Sequence, residues 1–149
     1  MPQSLAQIYV HLVFSTKGRE PWVTEVIQPG LYAYLAGTLN ARACPVLCVG
    51  GMRDHVHVLF RLARTVALSE AVKNLKVESS KWMKEEGGVG EFTWQAGYGA
   101  FSVSASQLEV VKAYIRNQEQ HHQGRSFQEE FRRLLDVYQI EYNEAYVWD

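Results

Sequence analysis

Asp54-His55-Val56-His57-Val58-Leu59-Phe60 alternates side chains of two kinds, imidazole or polar at one position and bulky apolar at the next. A period of two is that of a β-strand whose faces meet different surroundings. Val56, Val58 and Phe60 then point into a core, and His55 and His57 share the other face, roughly 7 Å apart along the strand. Two imidazoles so placed can grip one cation. The competing reading is a pair of surface histidines on an exposed sheet face.

Working outward, residues 45–49 read as a partner strand, joined to residues 55–62 through Gly50-Gly51 as a hairpin. Upstream, Ile8, Val10, Leu12 and Phe14 alternate with Tyr9, His11 and Val13, a strand over residues 8–14 that Lys17-Gly18-Arg19-Glu20-Pro21 breaks. Ile27, Leu31, Tyr34, Leu35 and Leu39 have helical spacing across residues 24–43, with Pro29 and Gly30 in the first turn or delaying its start. Downstream, residues 68–86 form a second helix with Leu68, Val72, Leu75, Ser79 and Trp82 on one face and Lys73, Lys76, Ser80 and Lys84 on the other. Gly87-Gly88-Val89-Gly90 is a connector, lacking the Lys-Ser/Thr and the preceding strand of a phosphate-binding loop. Residues 101–103 suit a short strand, and Ser104 with Gln107 has the pattern of a capping box opening a helix to about residue 121. A last helix covers residues 126–137. This order predicts one α+β domain over residues 1–149: a ferredoxin-like or RNA-recognition-like (RRM-like) sandwich, an antiparallel sheet with helices on one face, plus C-terminal helices.

Bulk properties fit that picture. The chain has 149 residues, 47% hydrophobic and 21% charged, enough for one closed core. No leader-like segment or apolar run near the roughly 20 residues of a membrane span is seen, so a cytoplasmic location and no membrane partner are expected. Cys44 and Cys48 sit among Val and Leu and suit buried thiols better than a disulfide framework or a zinc site. Net charge is −1 and argues for no particular partner. Its distribution is uneven, since Arg53, Arg61, Arg64, Lys73, Lys76, Lys81 and Lys84 face only Asp54, Glu70 and Glu78 in the central third.

Tyr114-Ile115-Arg116-Asn117-Gln118 adds a second feature. Leu108, Val111 and Ile115 form an apolar stripe, and Tyr114 and Gln118, four residues apart, can reach one site beside it. A phenol and an amide oxygen offer a nucleophile and a metal ligand, although a tyrosine beside such a stripe more often belongs to the core. His121 and His122 read most simply as a polar helix end favoured by the helix dipole.

Six segments in order now carry a resemblance: residues 9–17, Asp54-His55-Val56-His57, residues 75–80, residues 94–104, Tyr114-Ile115-Arg116-Asn117-Gln118, and Glu119-Gln120-His121-His122. Over nearly its whole length the chain resembles the single-tyrosine HUH transposases of small hairpin-ended bacterial insertion sequences. The resemblance implies that His55 and His57 are metal ligands, Gln118 the third ligand and Tyr114 the nucleophile. It implies cleavage and rejoining of single-stranded DNA through a covalent 5′-phosphotyrosine, hairpin-bearing DNA as partner, and a homodimer in which the tyrosine helix can complete the partner's site. The chain departs from the family at Ala145, where arginine is expected, which puts a C-terminal salt bridge or DNA contact in question.

The residue types suit such chemistry. A tyrosine titrates near about 10 and is a poor nucleophile at neutral pH unless assisted. Two neutral imidazoles and a neutral amide leave a cation its full charge, and mixed N and O ligation allows Mg²⁺ or Mn²⁺, with nitrogen favouring Mn²⁺. One ester replaces another, so no nucleotide cofactor is required. Asp54 is a candidate to orient an imidazole, or simply to cap the strand. Lys76 leads the candidates for DNA phosphate contact, followed by Lys73 and Arg53; a solvated helix face explains the lysines equally well. Trp22, Trp94 and Tyr98 are candidate base-stacking groups. Two other functions compete with transposition: a non-catalytic nucleic-acid-binding module on the same sandwich, and a domesticated host nickase of the same family.

Overall fold

The computed structural model describes residues 1–122 and 124–149, the His121 side chain excepted. Four strands, β1 (Ile8–Ser15), β2 (Val46–Gly51), β3 (His55–Leu62) and β4 (Gly99–Val103), form one sheet in the order β2-β3-β1-β4. All neighbours are antiparallel, with Val13 opposite His57 and His11 opposite both Leu59 and Phe101. Helices α1 (Gln28–Asn40) and α2 (Leu68–Glu85) provide the two crossings of a ferredoxin-like β-α-β-β-α-β order. Beyond β4 come α3 (Leu108–Arg116), α4 (Gln118–His121) and α5 (Phe127–Val137). Among the described residues no helix is long and apolar enough to cross a membrane.

Strand alternation sorts these helices onto two faces. Val10, Leu12, Phe14, Val56, Val58 and Phe60 pack with Leu31, Leu35 and Leu39 of α1 and Val72, Leu75 and Met83 of α2. The other face carries Val13 and Phe101, which meet Phe127, Phe131 and Leu135 of α5. It also carries Leu59 and Val103, which meet Ile115 of α3. The first pair of helices thus covers one face of the sheet and the C-terminal helices the other. Both histidines of β3 are sandwiched instead of facing solvent.

Element ends differ from the sequence reading for local reasons. α1 starts only at Gln28, because Pro29 is tolerated in the first turn and nowhere deeper. Gly50 and Gly51 belong to β2, and the turn falls on residues 52–54. β4 starts two residues early, at Gly99. The capping box at Ser104 and Gln107 does not form: residues 105–107 make a 3₁₀ turn, Ser104 Oγ meets Ser106 Oγ at 3.1 Å, and α3 begins at Leu108. Nor is the tyrosine helix continuous, since Asn117 (φ −99°, ψ 29°) breaks it between Arg116 and Gln118.

α3 lies so close to β2 that only a glycine fits at the crossing. A Cβ on Gly50 would stand 2.6 Å from the Ile115 carbonyl oxygen and 2.7 Å from its Cγ2. Gly50→Ala is therefore expected to push α3 off the sheet and lower stability by about 1–3 kcal/mol, the usual cost of overpacking. Urea unfolding measures it; an unchanged midpoint would mean that this contact yields freely.

Candidate active site

The sheet face under α3 to α5 concentrates polar side chains. His11 (3% exposed), His55 (0%), His57 (0%), Gln118 (2%) and Glu130 (2%) are all buried there. Groups of this kind stay buried only when paired, and each has partners. His55 Nε2 lies 3.0 Å from Gln118 Oε1 and 3.3 Å from Glu130 Oε1. His57 Nε2 is 3.1 Å and His122 Nε2 3.2 Å from the same Glu130 oxygen. His122 Nε2 also lies 3.2 Å from Gln118 Oε1. Three Nε2 atoms, an amide oxygen and a carboxylate oxygen therefore converge.

The remaining nitrogen of each imidazole fixes its ring. His55 Nδ1 is 2.7 Å from Asp54 Oδ1, His57 Nδ1 is 2.7 Å from His11 Nε2, and His122 Nδ1 is 2.7 Å from the Arg125 carbonyl oxygen. Asp54 therefore stands where an orienting acceptor would, and acceptors of this sort hold Nε2 ready for a cation. Tyr114 closes the arrangement: its hydroxyl donates to Glu130 Oε2, and its carbonyl accepts from Gln118 Nε2 at 3.4 Å.

Electrostatics follow from burial and these bonds. Burial alone would lower the pKa of His55, but the bonds to Asp54 and Glu130 outweigh it and raise the value to about 9. Burial holds His57 below its usual range in spite of Glu130. His11 falls to about 3, chiefly through burial and then through His57. Burial opposes ionisation of Glu130, yet hydrogen bonds from His122, His55 and His57 hold its carboxyl well below the usual range. Burial, then the Glu130 charge, push the Tyr114 hydroxyl well above an ordinary phenol.

The donor set fits a divalent cation. The ligand atoms of His55, His122 and Glu130 all lie within 4.8 Å of one another. An octahedral ion with bonds near 2.1 Å spaces adjacent ligands by about 3.0 Å, close to the contacts above. Of the ligands expected from sequence, His55 and Gln118 sit in this nest, and His57 reaches it through Glu130 Oε1. Sequence reasoning gave no role to Glu130 or His11 and read His122 as a helix end; the neighbouring His121 side chain lies outside the described residues. The signal for Glu130 was present: it interrupts the apolar stripe of Phe127, Phe131 and Leu134 at helical spacing.

The expected DNA-contacting residues are placed differently from one another. Lys73 is exposed on α2, a helix that covers the sheet face opposite Tyr114. Lys76 departs from the solvated face foreseen for it. Its Nζ donates to the carbonyl oxygens of Gln95 (2.8 Å), Ala96 (3.1 Å) and Gly97 (2.6 Å), and burial lowers its pKa to about 8. Its three donors are spent on the chain. Lys76→Met should therefore cost about 1–3 kcal/mol of stability and leave the salt dependence of DNA binding unchanged. A phosphate-contacting lysine would instead reduce that salt slope by about one.

Arg53 is exposed and pairs with Glu25 at 3.8 Å. It borders a cleft of about 400 Å³ that also takes in Gln28, Tyr32, Arg116 and Gln118. Of the stacking candidates, Trp94 is core, donating to Ser79 Oγ at 2.9 Å; Trp22 is half-buried against Phe92; Tyr98 is exposed beside Lys76. Ala145 is exposed, and its neighbour Glu144 pairs with Arg132 at 2.6 Å, so the C-terminal segment is tied down without an arginine at 145.

An antiparallel sheet carrying an H-x-H strand is thus faced by Tyr114 on α3 and, across the break at Asn117, by Gln118 at the start of α4. The family model described as "Transposase IS200 like" matches residues 4–118, and the chain belongs to that family. The match includes His55, His57, Tyr114 and Gln118 but ends before His122 and Glu130. Two solved structures share the fold. One is a protein of Deinococcus radiodurans R1 described as a "putative transposase", 22% identical, with a TM-score of 0.61 over 79% of this chain and 98% of the other. The second is a REP-associated tyrosine transposase bound to a REP hairpin, 11% identical, with a TM-score of 0.61 over 83% of this chain and 73% of the other. Among curated proteins none matches.

Proposed function

We propose that this chain cuts and rejoins single-stranded DNA at hairpin-bearing element ends, with Tyr114 as nucleophile and a 5′-phosphotyrosine as intermediate. The observation that carries the reading is the meeting of the Tyr114 hydroxyl with a carboxylate whose other oxygen lies among the Nε2 atoms of His55, His57 and His122. A nucleophile and a ligand nest are thus held together. Hairpin DNA is transferred from the REP-bound neighbour.

Bound by His55, His57 and Gln118, with His122 and Glu130 within reach, Mn²⁺ or Mg²⁺ would polarise the scissile phosphate and stabilise its developing charge. Asp54 and His11 orient the imidazoles from behind. Packing of Ile115 on Leu59 and Val103 holds the Tyr114 helix against the sheet. Attack joins the Tyr114 oxygen to phosphorus and frees a 3′-hydroxyl; a later 3′-hydroxyl reverses the exchange and releases the tyrosine. The experiment is incubation of the protein with hairpin-bearing single strands from the DNA flanking its coding sequence plus Mn²⁺, followed by a denaturing gel. A covalent adduct that needs both the metal and Tyr114 supports the reading; its absence rejects it.

The same packing bears on the expected shared site. The stripe of Leu108, Val111 and Ile115, which would otherwise call for burial against a second subunit, packs on its own sheet. We infer a site complete in cis. A His57→Ala chain mixed with a Tyr114→Phe chain should stay inactive even as proven heterodimers. Recovery towards half of the wild-type rate would establish the trans arrangement.

A further inference from the structure

Among the described residues, the Tyr32 hydroxyl is the buried side-chain polar atom with no hydrogen-bond partner. Burial pushes its pKa up to about 12, so at neutral pH it keeps its proton and can both donate and accept. Leaving such a group unpaired is costly. Tyr32 lines the cleft beside Arg53, which a partner can enter from solvent.

That cleft runs along the free edge of β2, the outer strand of the sheet, where backbone N–H and C=O groups have no strand neighbour. From one side of the edge α1 contributes Gln28 and Tyr32, and from the other α3 and α4 contribute Ile115 and Gln118. Gln118 also faces His55 at 3.0 Å, so the cleft adjoins the ligand nest. Its volume of about 400 Å³ lies in the range of small-molecule pockets.

The lining sorts by charge. Glu25, Arg53, Arg116 and Glu119 are all exposed and form the rim, two of each sign, with Arg53 paired to Glu25 at 3.8 Å. Val49, Gly50, Met52 and Ile115 are neutral and partly or fully buried. A phosphate drawn inside would meet no cation there. A nucleobase suits the interior better: aliphatic side chains cover its faces, and the Tyr32 hydroxyl and the Gln28 amide meet its polar edge. Arg53 and Arg116 remain at the rim for the neighbouring phosphates.

From this geometry we propose that the cleft is a binding pocket for one nucleobase of the substrate strand, next to the scissile phosphate, with the Tyr32 hydroxyl hydrogen-bonded to the base edge. The proposal rests on the function argued above. Proteins that take a base out of its stack read it in the same way, through its polar edge and through apolar contacts on its faces. Part of the sequence choice at the cut then belongs to this chain.

The test uses the full chain with Mn²⁺ and hairpin-bearing single strands from the DNA flanking its coding sequence. Wild-type protein on the intact strand locates the cut. Binding is then measured by fluorescence anisotropy in the Tyr114→Phe chain, which holds DNA without cutting it, on strands carrying one abasic site at each position around the cut in turn. One position adjoining the cut should lower affinity about tenfold or more, the size of a lost base contact. Adding Tyr32→Phe should lower affinity for the intact strand about three- to tenfold. It should leave affinity for that abasic strand unchanged, because hydroxyl and base form one contact. Thermal stability should not fall, since the deleted oxygen has no partner in the fold. A destabilised Tyr32→Phe chain, an equal loss on all strands, no loss at all, or no sensitive position beside the cut overturns the proposal while leaving Tyr114 as nucleophile. If the wild-type chain forms no adduct, the functional reading itself fails and this proposal with it.

Discussion

Tyr114→Phe will form no covalent adduct and will cut DNA at least about 10³-fold more slowly, while binding hairpin DNA with nearly unchanged affinity. Removing a nucleophile removes the covalent route altogether. The substitution deletes one oxygen. Ile115, Leu59 and Val103, which hold α3 on the sheet, are untouched, so the surface that DNA meets keeps its shape. The hydroxyl also donates to Glu130 Oε2, and the phenylalanine variant leaves that oxygen without this donor. A stability loss of about 1–3 kcal/mol is therefore expected. Gel shift, adduct gel and urea unfolding together separate the three quantities. Adduct at the wild-type level would remove Tyr114 from the chemistry.

His55→Ala and His57→Ala form the second large effect, expected to abolish calorimetrically detectable Mn²⁺ binding or weaken it about 10²-fold or more, in keeping with the loss of a ligand. Both side chains are fully buried, and truncating either takes a hydrogen-bond partner from its neighbours: from Asp54 and Gln118 for His55, from His11 and Glu130 for His57. The two variants should differ in metal-free stability. His55 is the imidazole whose pKa is raised, to about 9. Its proton stabilises the metal-free fold fully below the unfolded value near about 6.5, and this contribution disappears as pH rises through about 9. His55→Ala should remove that pH dependence. His57, whose pKa is lowered, carries no such contribution, so His57→Ala should retain it. Thermal melts from pH 6 to about 10 make the comparison. Unchanged Mn²⁺ affinity in both variants would exclude the nest as the metal site.

Much of this arrangement is legible in the residues because strand periodicity is strict. His55 and His57 had to share a face, and Val56, Val58 and Phe60 the other, whatever the strand packs against. The order of elements likewise defined the sheet. Which sheet face receives a helix that follows the last strand depends on long-range packing, and no local pattern encodes it. That is why a surface position competed with a metal site as the reading of the two histidines, and why the stripe of Leu108, Val111 and Ile115 suggested a second subunit. The surroundings of Lys76 were hidden for a related reason: helical spacing places it on the polar side of α2, but the residue 95–97 carbonyls that accept from it come from a loop whose path no periodicity predicts. Glu130 was legible in principle. A lone carboxylate inside the apolar stripe of α5 is a local contradiction, and such contradictions concentrate at functional sites.

The central claim, that Tyr114 becomes covalently joined to a 5′-phosphate, is tested most directly by identifying the joined atoms. Hairpin-bearing single strands from the DNA flanking the coding sequence, labelled in separate reactions at the 5′ or the 3′ end, are incubated with wild-type protein and Mn²⁺, digested with nuclease and protease, and the conjugated peptide is sequenced by mass spectrometry. The account predicts that only the fragment downstream of the cut stays with the protein, so that the 3′ label is retained, and that the modified residue is Tyr114. Label on the upstream fragment, modification at another residue, or cleavage with no protein-bound product at any time would contradict it.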